Sequence, residues 1–96
     1  MRRDAIAIKS KDNVATAIRD IAAGSPAAIG VEEEVVTVTV TQPIPLGHKL
    51  ALRRIRSGED ILKYGTVIGR ATREIESGEH VHVHNVESTR GRGDLA

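Results

Sequence analysis

Three of the four histidines in this chain recur at every second position near its C-terminus, at His80, His82 and His84. Side chains two residues apart share one face of an extended strand, so this spacing predicts a row of imidazoles. Imidazole can ionise, donate or accept a proton, or bind a metal near neutral pH. The row is either a functional surface or the solvent-facing half of an alternating strand, and both interpretations stay open.

His82 and His84 are candidate metal ligands, because neutral imidazoles on one strand face can supply part of a coordination sphere. A single strand rarely completes such a sphere, and the carboxylates of Glu79 and Glu87 are near the histidines only in sequence. The pattern therefore indicates a functional surface more strongly than it indicates a metal site.

The fourth histidine, His48, is followed directly by Lys49. The segment before this pair contains Pro43, Pro45 and Gly47, which fix its path. A stiff loop that presents adjacent cationic groups suits an anionic ligand or transition state. The alternative is a turn that carries two solvated polar residues.

Tyr64 is the only Phe, Tyr or Trp residue in the chain, and it is followed by Gly65. The glycine allows the backbone to approach a ligand closely, and the tyrosine hydroxyl is able to orient one. A lone tyrosine more often packs its ring and directs its hydroxyl to the backbone, so the alternative is a structural role.

The composition excludes several classes of function. The net charge is only +1 and there is no array of aromatic side chains, which argues against a nucleic-acid partner. The absence of cysteine excludes a disulfide scaffold, a thiolate nucleophile and a Cys-ligated zinc site, and it is compatible with a reducing cytoplasm. The only apolar run near the N-terminus covers residues 5–8, which is too short for a signal peptide or a membrane span. We therefore expect a cytoplasmic protein with no membrane partner.

A short pattern occurs three times, at residues 17–24, 51–58 and 71–78. Each copy has a basic residue, then an isoleucine, then two residues and a glycine. The copies are unevenly spaced, so they do not form a solenoid of fixed period. We predict one device used three times: a strand end or turn closed by a glycine with positive φ, followed by a new strand.

These elements predict a mostly β domain of short, bent strands with one or two short helices. A helix is predicted over residues 12–21, because Asp12 or Asn13 can cap it and apolar residues follow at helical spacing. The predicted strands cover residues 3–9, 34–41, 67–71 and 81–86. We expect a single domain over residues 1–90 and a flexible tail over residues 91–96.

Three segments, at residues 45–52, 61–71 and 78–88, resemble in the same order the small N-terminal domain of the altronate/galactarate dehydratase family. They include Gly-His-Lys at residues 47–49 and His-Val-His-Asn at residues 82–85. The resemblance covers nearly the whole chain and is most specific over residues 43–90. It implies a SAF-type domain with a β-clip fold.

The family resemblance also implies a reaction, the dehydration of a hydroxy sugar acid. That reaction removes a proton α to a carboxylate and expels a β-hydroxyl, which requires a base, a group that stabilises negative charge, and an acid. The residues we expect to be catalytic are His48, Lys49 and His84. The residues we expect to bind substrate are Tyr64, Gly65, His82, Asn85 and Arg90.

A domain of 96 residues is too small to enclose a sugar acid alone, so we expect it to form one wall of a site completed by a large catalytic subunit. The resemblance implies that Fe²⁺ or Mn²⁺ assists the complete enzyme and is held mainly by that subunit. The alternating run at residues 34–41 is an exposed edge unless it is covered. We expect it to pair with another strand, in a homo-oligomer or at the large-subunit interface.

Two other functions remain open at this point. The small subunit of sulfolactate sulfo-lyase resembles this chain in the same motifs, and its leaving group would be sulfite rather than water. A non-catalytic domain would use the same loops only to bind a ligand or to hold the large subunit. The sequence also leaves open whether the chain is a separate small subunit or an N-terminal domain.

Overall fold

A computed structural model describes residues 3–88, and these residues form nine short strands without a helix. The mostly β class is confirmed. The described residues also contain no helix that is long and apolar enough to cross a membrane. The strands are β1 (Ala5–Ala7), β2 (Val14–Ala17), β3 (Pro26–Val31), β4 (Glu34–Thr39), β5 (Lys49–Ala51), β6 (Asp60–Lys63), β7 (Thr66–Ala71), β8 (His80–Val81) and β9 (Val86–Ser88).

The strands form two sheets. A six-stranded sheet has the order β4-β3-β1-β2-β5-β8, and a three-stranded sheet has the order β6-β7-β9. Only β1 and β3 pair in parallel among these strands. Strands β2 and β5 lie between two apolar clusters, because Ala15 and Leu50 pack into one cluster while Val14 and Ala51 pack into the other. Successive side chains of β2 and β5 therefore pack into alternate apolar clusters, so this strand pair contributes to both.

The helix predicted over residues 12–21 is wrong, since residues 14–17 form β2. The expected capping residues, Asp12 and Asn13, are buried and bind the backbone of the distant β6–β7 hairpin instead. Ile18, which helical spacing places on the apolar face, is 49% exposed. Tertiary hydrogen bonds of Asp12 and Asn13 thus replace the local ones that a helix would use.

The predicted strands over residues 34–41 and 67–71 correspond to β4 and β7, and the one over residues 3–9 shortens to β1. The predicted strand over residues 81–86 is wrong as a single element. The chain leaves β8 after Val81, turns, and begins β9 at Val86 in the other sheet. The sequence patterns missed β2, β3, β5 and β6, which are short or contain small residues.

The repeated turn is confirmed, and it occurs four times rather than three. The closing glycines Gly24, Gly58 and Gly78 have φ angles of 84°, 89° and 84°. Gly47 has a φ of 86° and closes a fourth copy at residues 40–47. This copy has no basic residue and contains two prolines, so its sequence does not show the likeness directly.

The four turns form two reciprocal pairs. Ile21 pairs with Ile44, and Ile55 pairs with Ile75, each through two backbone hydrogen bonds of 2.8–2.9 Å. The closing glycine of each turn donates its N–H to the first residue of the partner turn. These bonds join Gly24 to Val40, Gly47 to Ala17, Gly58 to Ala71 and Gly78 to Ala51.

Strand β4 pairs with β3 along its full length and is the last strand of its sheet. No strand of residues 3–88 covers its other edge. The expectation that another chain pairs with this edge stays a prediction.

Substitution of Gly78 by alanine is expected to destabilise the fold more than substitution of Gly24. Both glycines have a φ of 84°, which costs a non-glycine residue about 1–2 kcal/mol. A Cβ at Gly78 would also collide with the backbone carbonyl oxygen of Thr39, whereas no atom lies within 4 Å of a Cβ at Gly24. Urea unfolding should show a loss of about 1–2 kcal/mol for Gly24→Ala and at least twice that for Gly78→Ala. Equal losses would contradict the close packing of the turn at residues 71–78 against Thr39.

Candidate functional site

Three histidines meet where β5 and β8 pair. His48 directly precedes β5, and the antiparallel register sets Leu50 opposite His80. The Nδ1 atom of His48 lies 2.9 Å from the Nε2 atom of His80, which is a hydrogen-bond distance. One nitrogen from each of His48, His80 and His82 lies within 4.8 Å of the other two. All three side chains are half-buried.

The imidazole rings of this cluster stack on one another. The ring centroids of His48 and His82 are 4.1 Å apart, with an angle of 18° between the planes. Those of His48 and His80 are 5.1 Å apart, at 21°. The exposed ring of His84 lies 5.2 Å from that of His80, at 32°. The cluster is therefore a compact stack with His84 at its outer side.

The histidine row arises from a turn rather than from a continuous strand. Only His80 lies in β8, and the Asn85 N–H closes a turn by donating to the His82 carbonyl at 3.1 Å. The turn keeps His84 near His80 but outside the group of three. The predicted metal pair was His82 and His84, whereas the group with ligand atoms close together in residues 3–88 contains His48, His80 and His82.

Asn85 is fully buried, and its side-chain amide holds the histidine turn. Its Oδ1 atom accepts the His82 N–H at 3.0 Å, and its Nδ2 atom donates to the His80 carbonyl at 2.9 Å. The backbone carbonyl of Asn85 also accepts the Thr72 N–H. These bonds give Asn85 a positioning role, and its predicted contact with substrate stays a prediction.

The electrostatic environment of the cluster favours neutral imidazoles. Burial lowers the pKa of His80 below its ordinary value, and the neighbouring His48, His84, His82 and Lys49 lower this pKa further. Desolvation also lowers the pKa of His82, with additional effects of His48, Lys49 and His84. A neutral imidazole has one nitrogen that accepts a proton or binds a metal, which is the form that both kinds of chemistry need.

A cleft of about 540 Å³ lies beside the histidine cluster, between the two sheets. Its floor is aliphatic and its rim carries cationic and hydroxyl groups. The pKa of Lys49 is lowered by burial and, to a smaller degree, by the neighbouring charge of Lys63. A second positive charge nearby and partial burial both favour binding of an anion at Lys49. The floor residues are Ile61, Ile68, Val81 and Val86, and the polar rim residues are Lys49, Lys63, Tyr64, Thr66, His82 and Ser88.

Tyr64 is positioned by the tight turn between β6 and β7. Tyr64 and Gly65 have φ angles of 55° and 75°, so both central residues of this two-residue hairpin are left-handed, as in a type I′ turn. The Lys63 ammonium lies 4.9 Å from the centroid of the Tyr64 ring. Tyr64 is 47% exposed and lines the cleft, so its side chain is accessible to a ligand.

Asp12 holds this hairpin turn in place. It is 1% exposed, and its carboxylate accepts the N–H groups of Tyr64 at 2.9 Å and Gly65 at 2.7 Å. The same carboxylate accepts the N–H groups of Ile8 and Lys9, so it ties the hairpin to the loop after β1. The sequence pattern predicts a helix cap at Asp12. Its signal, an Asp-Asn pair, is the same for a cap and for a long-range contact of this kind.

The structure gathers some of the predicted site residues and separates others. Lys49, Tyr64 and His82 line the cleft, and His48 stacks on His82 beside it. Gly65 supports the turn through its N–H rather than lining the cleft. Arg90 and the predicted tail over residues 91–96 lie outside the described residues. Lys63 also lines the cleft, although it was not predicted to be a site residue. Its position next to Tyr64 in the sequence could have indicated this role.

Comparison with known proteins finds a matching family model and similar named proteins. Residues 3–89 match the family model described as the altronate/galactarate dehydratase SAF domain. The chain is 43% identical over 84 residues to an altronate dehydratase of Bacillus subtilis (strain 168) and 41% identical over 83 residues to that of Escherichia coli (strain K12). Each match covers 86% of this chain and 16% of the relative, so the chain spans about one sixth of the length of these enzymes.

A shorter relative is the alpha subunit of a (2R)-sulfolactate sulfo-lyase from Chromohalobacter salexigens. It is 44% identical over 59 residues, which make up 62% of this chain and 63% of that subunit. The same domain type therefore occurs both as a small part of long dehydratases and in a protein named as a subunit.

Replacement of Asp12 by asparagine is expected to lower the free energy of unfolding by about 2–3 kcal/mol. The change removes a buried charge that accepts four N–H groups and sets an amide donor against them. Asp20→Asn is the matched control, because Asp20 is exposed and its carboxylate accepts one N–H group, that of Leu46. That variant should lose less than about 1 kcal/mol. Hydrogen exchange should accelerate at Tyr64 and Gly65 in the Asp12 variant, and unchanged exchange there would contradict the role of Asp12.

Acidification in metal-free buffer is expected to destabilise the fold. Because the pKa values of His80 and His82 are lowered in the folded chain, the unfolded chain binds more protons below its histidine pKa of about 6.5. This part of the stability is complete above about pH 6.5 and decreases as the pH falls toward the lowered values. Urea unfolding at about pH 7.5 and about pH 5.5 measures the difference. A His80→Gln, His82→Gln double variant should show a smaller decrease, and an equal decrease in both chains would contradict the prediction.

Proposed function

This chain belongs to the altronate/galactarate dehydratase SAF domain family, and on that premise we propose that it is one component of a sugar-acid dehydratase. In this proposal, the chain acts with a large catalytic subunit on altronate or a related aldonate or aldarate. The observation that carries the proposal is the cleft in which Lys49, Lys63 and Tyr64 surround an aliphatic floor next to the histidine stack.

The cleft has the chemistry that a polyhydroxy carboxylate needs. Lys49 and Lys63 supply positive charge for the carboxylate, and the Tyr64 hydroxyl is available to a substrate hydroxyl. His82 borders the same space, so an imidazole can reach a bound ligand. The volume of about 540 Å³ is in the range of small-molecule sites, about 300–1,000 Å³.

The proposed catalytic roles follow from the types of side chain present. Lys49 neutralises the substrate carboxylate, which makes the α-proton easier to remove. His48 and His84 are the proposed proton carriers. His48 already shares a short contact with His80, and this contact gives it a route for exchanging a proton with its neighbour. Asn85 and Asp12 keep the loops that carry these groups in place.

The large subunit is a required part of the proposal. The cleft lies at the surface of a domain that spans 16% of the altronate dehydratases it matches, so further walls must come from another part of the enzyme. Fe²⁺ or Mn²⁺ is proposed to assist the complete enzyme, held mainly by the large subunit, where it would stabilise the negative charge that develops on the substrate. The uncovered edge of β4 is a second surface that this subunit, or another copy of the chain, is proposed to pair with.

A second candidate function is that of the small subunit of a sulfolactate sulfo-lyase. It is favoured by one observation, that the relative named as subunit alpha of that enzyme is matched over 63% of its own length. The two reactions share a carboxylate substrate and differ in the leaving group. The cleft residues therefore suit either reaction.

Reconstitution tests the proposal directly. The chain is mixed with the large subunit, Fe²⁺ or Mn²⁺ is added, and dehydration of altronate and galactarate is measured alongside release of sulfite from sulfolactate. We expect dehydration that requires both chains. Sulfite release would select the second candidate. A stable complex without turnover of any of these substrates would leave only a binding or assembly role.

In the active complex, Lys49→Met is expected to lower kcat/KM by about 10–100-fold, because a charge-assisted hydrogen bond to the substrate is worth about 1.5–3 kcal/mol. Arg56→Met removes the same charge from an exposed position that does not line the cleft, and it serves as the control. We expect the control to stay within about twofold of the parent chain. Equal activity of the two variants would contradict the placement of the substrate carboxylate at Lys49.

A further inference from the structure

We propose that His48, His80 and His82 form a site for a divalent transition metal on this chain itself. The site does not require the large subunit and does not depend on the proposed function. It also differs from the sequence-based expectation, which paired His82 with His84.

The distances between the nitrogen atoms suit a shared metal ion. Ligand nitrogens at about 2.0–2.1 Å from one ion lie about 3–4 Å from each other. One nitrogen of each imidazole lies within 4.8 Å of the other two, and the His48–His80 pair is already at 2.9 Å. The rings are nearly parallel in the stack, so binding requires rotation about side-chain torsions to direct three lone pairs at one point. The backbone does not have to move far.

The backbone on which the three histidines sit is fixed by hydrogen bonds. His80 donates its N–H to the Gln42 side chain at 2.9 Å, and His82 donates its N–H to Asn85 at 3.0 Å. The His48 carbonyl accepts the Ala17 N–H at 2.8 Å. Ligands on a fixed backbone lose little conformational entropy when the metal binds, which is the support that metal sites usually need.

The ring nitrogens are not used by other parts of the described fold. In residues 3–88, the only hydrogen bond made by a ring nitrogen of these three histidines is the one between His48 and His80. A metal ion would replace that single contact with three coordinate bonds, and His48 would then be a ligand, which leaves His84 as the proton carrier of the proposed function. The group has no carboxylate, so its three neutral nitrogens favour borderline ions such as Zn²⁺, Co²⁺ or Fe²⁺ over Mg²⁺ and Ca²⁺. Three protein ligands would also leave a coordination position for water or a substrate oxygen.

Titration of the full chain with Co²⁺ and with Zn²⁺ tests the site. Calorimetry is expected to show one ion per chain, and the visible spectrum of bound Co²⁺ is expected to report nitrogen ligands. Mg²⁺ at the same concentrations should not compete. Binding of more than one ion per chain with no spectral change, or equal binding of Mg²⁺, would overturn the proposal.

Single His→Gln variants identify the ligands. His48→Gln, His80→Gln and His82→Gln should each weaken Co²⁺ binding by at least about tenfold, the loss typical of a disturbed metal site. His84→Gln is the matched control, because its ring lies 5.2 Å from that of His80 but outside the group of three. This control should bind Co²⁺ within about threefold of the parent chain. A loss confined to His84→Gln and His82→Gln would instead select the pair predicted from sequence.

A measurement on the unmodified chain keeps the test valid if a variant fails to fold. Bound Co²⁺ is paramagnetic and shifts or broadens NMR signals of nearby nuclei. The ring signals of His48, His80 and His82 should be affected most strongly at one equivalent of Co²⁺. Stronger effects elsewhere in the chain would overturn the site.

Discussion

The reciprocal pairing of four glycine-closed turns is the constraint on which the site depends. Each pair is held by two isoleucine hydrogen bonds and by two glycine N–H groups that reach the partner turn. His48 and Lys49 follow Gly47, which closes the turn at residues 40–47, and His80 follows by two residues Gly78, which closes the turn at residues 71–78. Pairing of β5 with β8 then brings these two segments together. Backbone hydrogen bonds therefore position the candidate site residues. The small aliphatic side chains of the two apolar clusters fill the interior.

Two buried polar side chains connect this framework to the cleft. Asp12 fixes the turn that carries Tyr64, and Asn85 fixes the turn that carries His82. Both act on backbone N–H groups, so each loop is held at its backbone while its side chains stay free to meet a ligand. A buried carboxylate or amide is costly unless its hydrogen bonds are satisfied, and both residues satisfy them with segments far apart in sequence or across a turn. The same bonds thus stabilise the fold and set the shape of one cleft wall.

The sequence predicted the fold class, the positive-φ glycines and four cleft or cluster residues, His48, Lys49, Tyr64 and His82, because these depend on local patterns. Alternation in β4 and the regular spacing of isoleucine and glycine are visible without tertiary information. The helix at residues 12–21 was wrong because the capping signal of Asp12 is the same as the signal for a long-range contact. The histidine row was assigned to one strand because the alternating sequence of histidine and valine does not show that the chain turns after Val81. The three-histidine group could not be predicted, since His48 joins it only through strand pairing.

The electrostatics of this face explain why it is suited to a ligand that brings negative charge. Lys49 and Lys63 lie close enough for their charges to interact, and the pKa of Lys49 is lowered as a result of burial and of that interaction. Burial, and to a smaller degree the neighbouring imidazoles and Lys49, lowers the pKa of His80 and of His82, which favours the neutral forms of these two rings. The cleft thus has Lys49, Lys63 and His82 in its lining, and His48 stacks on His82. A carboxylate ligand would relieve the repulsion between the lysines and leave the imidazoles free to accept a proton or a metal ion.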